Sequence, residues 1–140
     1  MKNDESDSRP VILIIDDEPD FLDSARLFLQ GEGKSDYEIL TASQLGKVAE
    51  IIAQKADRLH MILLDIHMPD CSGLDMLRWV RAHPQLTQVP ILMLSADQVG
   101  RRRVAETKDP NLDFLLKPFD PEVLYYRVKR FGSAAVVNRS

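Results

Sequence analysis

Acidic residues stand directly after two of the most apolar stretches of this 140-residue chain. The run VILII ends on the adjacent carboxylates of Asp16 and Asp17, and the run MILL ends on Asp65. Two further runs end on a hydroxyl, Ser95, and on an ammonium, Lys117. Like charges beside each other disfavour their own ionisation, so the carboxylates need a compensating cation. Because Mg²⁺ prefers oxygen ligands, the three carboxylates predict a magnesium site if they converge.

The chemistry that these residue types predict is phosphoryl transfer to a carboxylate. A lysine binds a phosphate oxygen as a point charge, or holds a carboxylate in place when no phosphate is present. A serine hydroxyl donates one further hydrogen bond. Each residue alone has an ordinary structural explanation, such as a capping aspartate or a solvated lysine. The hypothesis therefore depends on all of them coming together.

The elements that must position these residues alternate between short apolar runs and amphipathic segments. The runs predict five strands, and apolar residues at helical spacing predict a helix after each of them. This alternation is typical of an α/β fold with a parallel sheet and helices on both faces. A closed barrel needs about 250 residues, so an open five-stranded sheet remains. The predicted strands are Val11–Ile15, Tyr37–Thr41, Met61–Leu64, Ile91–Leu94 and Leu112–Leu116, and the helices begin near Pro19, Leu45, Leu74, Gln98 and Asp120.

Open sheets of this kind bind ligands beyond the carboxyl ends of their strands. The candidate residues follow the first, third, fourth and fifth strands, so we expect them to meet at one edge. Local signals support these boundaries. The segment GEG at 31–33 is expected to end the first helix, Pro69 to stiffen the loop after Asp65, and Gly73 to adopt a backbone conformation that a side chain would block.

Composition limits the class of protein. With 44% apolar residues, 29% charged residues and a net charge of -4, the chain predicts one domain over 10–131. Residues 1–9 predict a disordered lead-in and 132–140 a short tail. The single cysteine and the lack of a long apolar stretch predict a cytoplasmic protein without a membrane segment. The acidic balance disfavours direct nucleic-acid binding, and the arginines at 101–103 predict a solvated helix face.

Four segments together resemble the response-regulator receiver domain (CheY-like) of bacterial two-component signal transduction. They are ILIIDDEP, ILLDIHMPDCSGLDML, PILMLSAD and FLLKPF, and the resemblance covers roughly residues 10–131. It implies a flavodoxin-like fold with strand order 2-1-3-4-5. It also implies a phosphorylatable signalling switch that catalyses only its own phosphorylation and dephosphorylation and is not otherwise an enzyme.

The resemblance assigns roles to the site residues. Asp65 is the implied phosphoacceptor, which takes a phosphoryl group from a sensor histidine kinase or a phosphotransfer protein. Asp17 is expected to bind Mg²⁺ directly and Asp16 largely through water. The backbone carbonyl of His67 is the third implied protein ligand, beside Asp65 itself. Lys117 is expected to pair with the phosphate, through a loop whose Lys117–Pro118 bond is cis.

The switch and the rim of the site follow from the same resemblance. Ser95 is expected to bind a phosphoryl oxygen, and the aromatic side chain of Phe114 to turn inward as Ser95 moves. His67 and Asp97 fall on rim positions, where we hypothesise that they alter the lifetime of the phosphoryl group. The fourth helix is predicted to be short or mobile, since it has few apolar residues and an interior Gly100, which costs about 1 kcal/mol relative to alanine.

The segment before the fifth strand departs from the family pattern, because Pro110 and Asn111 stand where a glycine–alanine pair is usual. The face of helix four, strand five and helix five is interpreted either as a homodimer surface or as a solvated surface. The residues considered for it are Tyr125, Tyr126, Arg127, Lys129 and Arg130.

Two other functions remain as alternatives. A haloacid-dehalogenase-like hydrolase also uses an aspartate and Mg²⁺, but it places its nucleophile in an Asp-x-Asp motif that DDEPD does not fit. A pseudo-receiver would bind partners without phosphorylation, and the retention of all the site residues speaks against it. The sequence leaves open whether the chain acts alone or belongs to a longer regulator or hybrid kinase.

Overall fold

The computed structural model describes residues 8–30, 36–68 and 72–139, with side chains described as far as residue 130. Five strands and five α-helices alternate along these ranges. Short 3₁₀ turns at Ala56–Arg58 and Pro84–Leu86 precede β3 and β4. The α-helices and strands are β1 Val11–Ile15, α1 Pro19–Gln30, β2 Glu38–Ala42, α2 Leu45–Lys55, β3 Leu59–Asp65, α3 Gly73–Arg81, β4 Ile91–Ser95, α4 Gln98–Glu106, β5 Leu112–Leu116 and α5 Pro121–Arg139.

The strands form one parallel sheet in the order β2-β1-β3-β4-β5, so the predicted fold class and strand order are confirmed. The register aligns the strand ends. Ile15 of β1 is paired with Leu64 of β3, and Asp65 is paired with Leu94 of β4. Ser95 is paired with Leu116 of β5. The residues that follow these positions therefore emerge side by side at the carboxyl edge.

The central strands β1, β3 and β4 are mostly apolar because helices cover both faces of the sheet. All five residues of β1 are fully buried. Leu13 and its neighbours on one face pack with residues of α2, α3 and α4, whereas Ile12 and Ile14 on the other face pack with α1 and α5. Two apolar layers thus hold the sheet, and no described helix is long and apolar enough to cross a membrane.

Helix α5 extends beyond residue 131, where the sequence predicted the end of the domain. Its backbone continues to Arg139, so the predicted tail at 132–140 is helical over most of its length. Residues 132–139 contain no proline that would stop the helix. At the other end of the chain, Arg9 of the predicted lead-in is held by an Nη1 hydrogen bond to the Tyr37 carbonyl. Residues 1–7, the GEG segment and Pro69 lie outside the described residues.

The unusual segment before β5 is built around one arginine. The guanidinium of Arg81, at the end of α3, is paired with the carboxylate of Asp109 at 2.8 Å. It also donates to the carbonyls of Leu86 and Val89, each at 2.7 Å, and to that of Asn111 at 3.1 Å. This network fixes the loop where a glycine–alanine pair is usual in the resemblance. Lys108, just before it, has a left-handed backbone with φ 55.

Candidate functional site

Three carboxylates meet at the carboxyl edge of the sheet, as predicted. Asp16 and Asp17 follow β1 and Asp65 ends β3, and one oxygen of each lies within 4.8 Å of the others. Asp16 and Asp65 are buried, while Asp17 is exposed. A hard divalent cation fits such a set of oxygen donors, because it offsets the repulsion of three negative charges.

The two oxygens of Asp16 are already engaged. Oδ1 accepts a hydrogen bond from the backbone N–H of Glu18 at 2.9 Å, which caps the start of the α1 region. Oδ2 accepts from the ammonium of Lys117 at 2.7 Å. Asp16 therefore links the ends of β1 and β5, whereas Asp17 projects towards solvent.

Lys117 lies among three carboxylates. Its Nζ is 2.7 Å from Asp16, 3.6 Å from Glu18 and 3.9 Å from Asp65. Burial disfavours the ammonium, but the hydrogen bond and charge of Asp16, with the other two carboxylates, raise the pKa of Lys117 above its ordinary value. Lysine is thus held as a cation beside Asp65, although its closest partner is Asp16.

The carboxyl group of Asp65 resists ionisation. Burial and the negative charge of Asp16 raise its pKa, while Lys117 and a hydrogen bond from the His67 backbone oppose the shift. That N–H reaches Oδ1 of Asp65 at 3.2 Å. The second oxygen, Oδ2, is the one that faces the ammonium of Lys117. A cation at the acidic cluster would relieve the repulsion.

The two rim residues contact each other. Nε2 of His67 lies 3.1 Å from Oδ2 of Asp97 and 3.4 Å from Oγ of the buried Ser95. Oδ1 of Asp97 accepts from the backbone N–H of Gly100 at 3.1 Å, so the same carboxylate caps α4. This hydrogen bond, with the contact to His67, lowers the pKa of Asp97. The sequence predicted both residues at the rim but not the link between them.

The surroundings of Phe114 and Gly100 explain why α4 contains an interior glycine. Phe114 is buried, so its ring already lies inside the domain, and the guanidinium of Arg101 lies 5.4 Å from its centroid. A Cβ at Gly100 would lie 2.7 Å from Ile66 Cδ1 and 3.1 Å from Ser95 Cβ. Glycine therefore allows α4 to approach the site closely. The helix, predicted to be short or mobile, spans nine residues, the same number as α3, and the arginines at 101–103 are exposed.

A glycine is required at position 73 for a different reason from the one predicted. It does not have the left-handed backbone that favours glycine; instead, a Cβ there would lie 2.5 Å from the carbonyl oxygen of Asp65 and against Ile66 Cα. Its N–H donates to the Ile66 carbonyl at 2.7 Å. Close approach of two backbones, rather than φ, excludes a side chain and brings α3 against the strand that carries Asp65.

The residues considered for a dimer face do not share one surface. Tyr125 packs edge-on against Phe28 of α1, with ring centroids 6.2 Å apart, and the ammonium of Lys129 lies 5.5 Å from the Tyr125 ring. Arg127 instead donates to Asp113 of β5 at 2.8 Å. The helical period of α5 separates them. The α4–β5–α5 face therefore includes Arg127 and excludes Tyr125 and Lys129.

Sequence reasoning overlooked two residues of the site. Glu18 contributes a further carboxylate beside Lys117, and the ring of Phe21 lies under its ammonium, with 4.4 Å between Nζ and the ring centroid. Glu18 belongs to the DDEPD motif, so its proximity could have been expected. Phe21 was interpreted only as an apolar position of α1, which its spacing also explains.

Comparison with known proteins agrees with this geometry. The family model for the response regulator receiver domain matches residues 12–129. The chain belongs to this family. Receiver domains are the regulatory components of two-component systems, and the acidic cluster lies where they typically bind Mg²⁺. The cis Lys117–Pro118 bond expected from the resemblance is also present.

The chain spans half or less of the length of two curated relatives that it matches. The chain is 34% identical over 126 residues to the probable transcriptional regulatory protein TcrX of Mycobacterium tuberculosis, covering 89% of this chain and 50% of that protein. It is 30% identical over 128 residues to the sensor histidine kinase TmoS of Ectopseudomonas mendocina, covering 91% of this chain and 12% of that protein. The chemotaxis response regulator CheY4 of Vibrio cholerae has a similar structure, with a TM-score of 0.72, 31% identity, and coverage of 88% and 98% of the two chains.

Proposed function

We propose that this receiver domain is a phosphorylatable signalling switch whose acceptor is Asp65. The phosphoryl group would come from the phosphohistidine of a sensor histidine kinase or a phosphotransfer protein, in a reaction that requires Mg²⁺. The observation that carries the proposal is the position of the buried Asp65 carboxylate, which lies beside the carboxylates of Asp16 and Asp17 and 3.9 Å from the Lys117 ammonium. Relatives that include a regulator and a sensor kinase support a kinase as partner.

The transfer requires one bond to form and one to break. A carboxylate oxygen of Asp65 attacks phosphorus while the P–N bond to the donor histidine breaks, and the histidine nitrogen keeps the electron pair. Oδ2 is the better placed oxygen, since Oδ1 accepts the hydrogen bond from the His67 N–H. In the reverse step, a water oxygen attacks phosphorus, the P–O bond to Asp65 breaks, inorganic phosphate leaves, and the electron pair returns to the carboxylate.

The carboxylates divide the metal-binding work unequally in this proposal. Asp17, Asp65 and the His67 backbone carbonyl would hold Mg²⁺ directly, and Asp16 would act through water. Two observations support this division: both oxygens of Asp16 already accept hydrogen bonds, and Asp17 is exposed. When bound, Mg²⁺ supplies positive charge that offsets the negative charge on the phosphoryl oxygens.

Lys117 and Ser95 are proposed to bind the phosphoryl oxygens. The ammonium of Lys117 needs only a small displacement from Asp16, since it is already 3.9 Å from Asp65. Movement of the Ser95 hydroxyl towards the phosphoryl group would disturb its contact with His67 and the packing of Phe114 beside Gly100. We propose that this changes the surface of α4, β5 and α5, through which a partner or an output domain is regulated.

His67 and Asp97 are proposed to set the lifetime of the phosphoryl group. Their side chains bridge the loops after β3 and β4 and stand beside Ser95. A bridge at this place would limit the approach of water to the acyl phosphate. Phosphoryl half-life should therefore shorten in His67→Ala and in Asp97→Ala, and an unchanged half-life in both would contradict this role.

Regulation through protein contacts is proposed over direct binding of nucleic acid, because the chain carries a net charge of -4. A homodimer through α4, β5 and α5 is one such contact, with Arg127 rather than Tyr125 on its surface. We propose the cytoplasm as compartment, where the one cysteine stays reduced.

The decisive experiment follows intact mass after incubation with phosphoramidate and Mg²⁺. The native chain should gain one phosphoryl group, and the gain should disappear in Asp65→Asn or when EDTA replaces Mg²⁺. Asp57→Asn, at an exposed carboxylate in the turn before β3, is the matched control and should be phosphorylated like the native chain. A native chain that never gains the group would favour a pseudo-receiver that binds partners without phosphorylation.

A further inference from the structure

We propose that Phe21 is a positioning residue for Lys117: its ring holds the ammonium beside Asp65 for phosphoryl transfer. This inference rests on the proposed function of the site. Phe21 lies in the first turn of α1. Its side chain has no polar atom, so it forms no hydrogen bond with the three clustered carboxylates. Its contribution would come from the electron-rich face of the ring, which attracts a cation.

Three carboxylates and one aromatic ring lie around the ammonium of Lys117. Carboxylates of Asp16, Glu18 and Asp65 lie within 3.9 Å of Nζ, and the centroid of Phe21 lies 4.4 Å from it. The lysine side chain is only 16% exposed. A cation–π contact is strongest where the cation is desolvated, so this partly buried ammonium meets the condition.

The ring is itself fixed in place. Phe119 packs its edge against Phe21, with centroids 6.0 Å apart and planes at 83°. Because Phe119 lies two residues after Lys117, a single loop contacts the ring with both an ammonium and an aromatic side chain. The same ring lines an apolar groove of about 270 Å³ between α1 and the start of α5, and Lys117 and Phe119 line that groove with it.

A ring face suits the movement that the reaction needs. The ammonium lies 2.7 Å from Asp16 but 3.9 Å from Asp65, so it must shift towards Asp65 when a phosphoryl group arrives. Attraction to a ring face is broad, whereas a hydrogen-bond acceptor would hold the ammonium at one point. Phe21 can therefore hold Lys117 near both carboxylates without fixing it on either.

The test keeps the shape of the ring and weakens only its electrostatic attraction. Phenylalanines with one, two and three ring fluorines are placed at position 21, in the native chain and in Lys117→Met. The urea midpoint in EDTA and the rate of Asp65 phosphorylation by phosphoramidate with Mg²⁺ are then measured. The same series at Phe28, whose aromatic partner is Tyr125 and which lines the same groove, is the matched control.

The urea midpoint should fall with each fluorine in the native chain, and more steeply than in Lys117→Met, where the ring keeps only its contact with Phe119. The phosphorylation rate should fall in parallel, by about 3- to 10-fold at the third fluorine. The Phe28 series should change neither quantity in step with fluorine number. Equal midpoint changes with and without Lys117, or a rate that is insensitive to fluorine, would overturn the inference. If the native chain is never phosphorylated, the proposed function fails, while the urea series still decides whether the ring holds the ammonium.

Discussion

Replacing Asp65, the proposed phosphoacceptor, should stabilise this protein in the absence of metal. Burial and the charge of Asp16 raise the pKa of Asp65 above 3.8, so its ionisation favours the unfolded chain. The contribution of this group to stability is complete below its unfolded pKa and is lost as pH rises through the folded pKa. At neutral pH, Asp65→Asn removes the unfavourable charge and should unfold at higher urea concentration than the native chain.

The size of the effect follows from the charges around Asp65. Repulsion from one carboxylate at 4.8 Å, the largest separation within the cluster, is about 3.5 kcal/mol at an effective dielectric constant near 20. Attraction to the Lys117 ammonium at 3.9 Å is about 4 kcal/mol on the same scale, so these two nearly cancel. The remaining desolvation of a buried carboxylate, less the hydrogen bond from His67, leaves a net gain of about 1–2 kcal/mol for the asparagine.

Equilibrium urea unfolding measures this gain, first in EDTA at neutral pH and then at decreasing pH. The excess stability of Asp65→Asn should shrink as the native carboxyl becomes protonated. Saturating Mg²⁺ should also reduce this excess stability. The native chain binds the cation more tightly than Asp65→Asn does, so the cation stabilises the native chain more. Asp57→Asn should change stability by less than about 0.5 kcal/mol in every condition. An Asp65→Asn chain that is no more stable than the native one in EDTA, or whose excess grows as pH falls, would refute the electrostatic reasoning.

Three further predictions concern side-chain packing, a hydrogen-bond network and a backbone angle, and all can be measured by the same urea titration. Gly100→Ala should destabilise the fold by about 1–3 kcal/mol, because the new Cβ meets Ile66, Ser95 and Phe114. Gly46→Ala, with nothing within 4 Å of the new Cβ, should stabilise the fold by about 0.5 kcal/mol. The reverse order of stability would contradict the packing around α4. Arg81→Met should cost about 3 kcal/mol, because Asp109 loses its cationic partner and the carbonyls of Leu86, Val89 and Asn111 each lose a hydrogen bond from the guanidinium. Arg78→Met, at an exposed pair with Asp75, should cost less than about 1 kcal/mol. Equal costs would be inconsistent with a structural role of the Arg81 network. Lys108→Gly should stabilise the chain by about 0.5–1 kcal/mol, since φ 55 is unfavourable for a residue with a Cβ, and a loss of stability would show that the lysine side chain matters more than its backbone.

Much of the fold was predictable because apolar runs and helical spacing are local properties. The strands Val11–Ile15 and Leu112–Leu116 have the predicted bounds, and β3 is longer than predicted, since Leu59 and Asp65 pair in the sheet although they flank the most apolar part of the run. Helix α5 continues past residue 131, where the predicted domain ends, because the apolar face of a helix can stop while its backbone hydrogen bonds continue.

The candidate site was predictable as a set of residues but not as a set of contacts. Strand alternation requires a parallel sheet, and a parallel sheet brings Asp16, Asp65, Ser95 and Lys117 to one edge whatever their separation in the chain. Which groups then pair depends on distances between loops that leave different strands, and no local pattern encodes those distances.

The sequence by itself thus determined the class of fold, the edge that carries the chemistry and the residue types present there. Only the tertiary structure decided that Lys117 binds Asp16 more closely than Asp65, that Asp97 joins His67 to the start of α4, and that Phe21 lies under the ammonium. The physical reason is that burial of apolar side chains selects the elements from a local pattern. Charge and hydrogen-bond partners, in contrast, are chosen at separations of a few ångströms that exist only after the sheet has assembled.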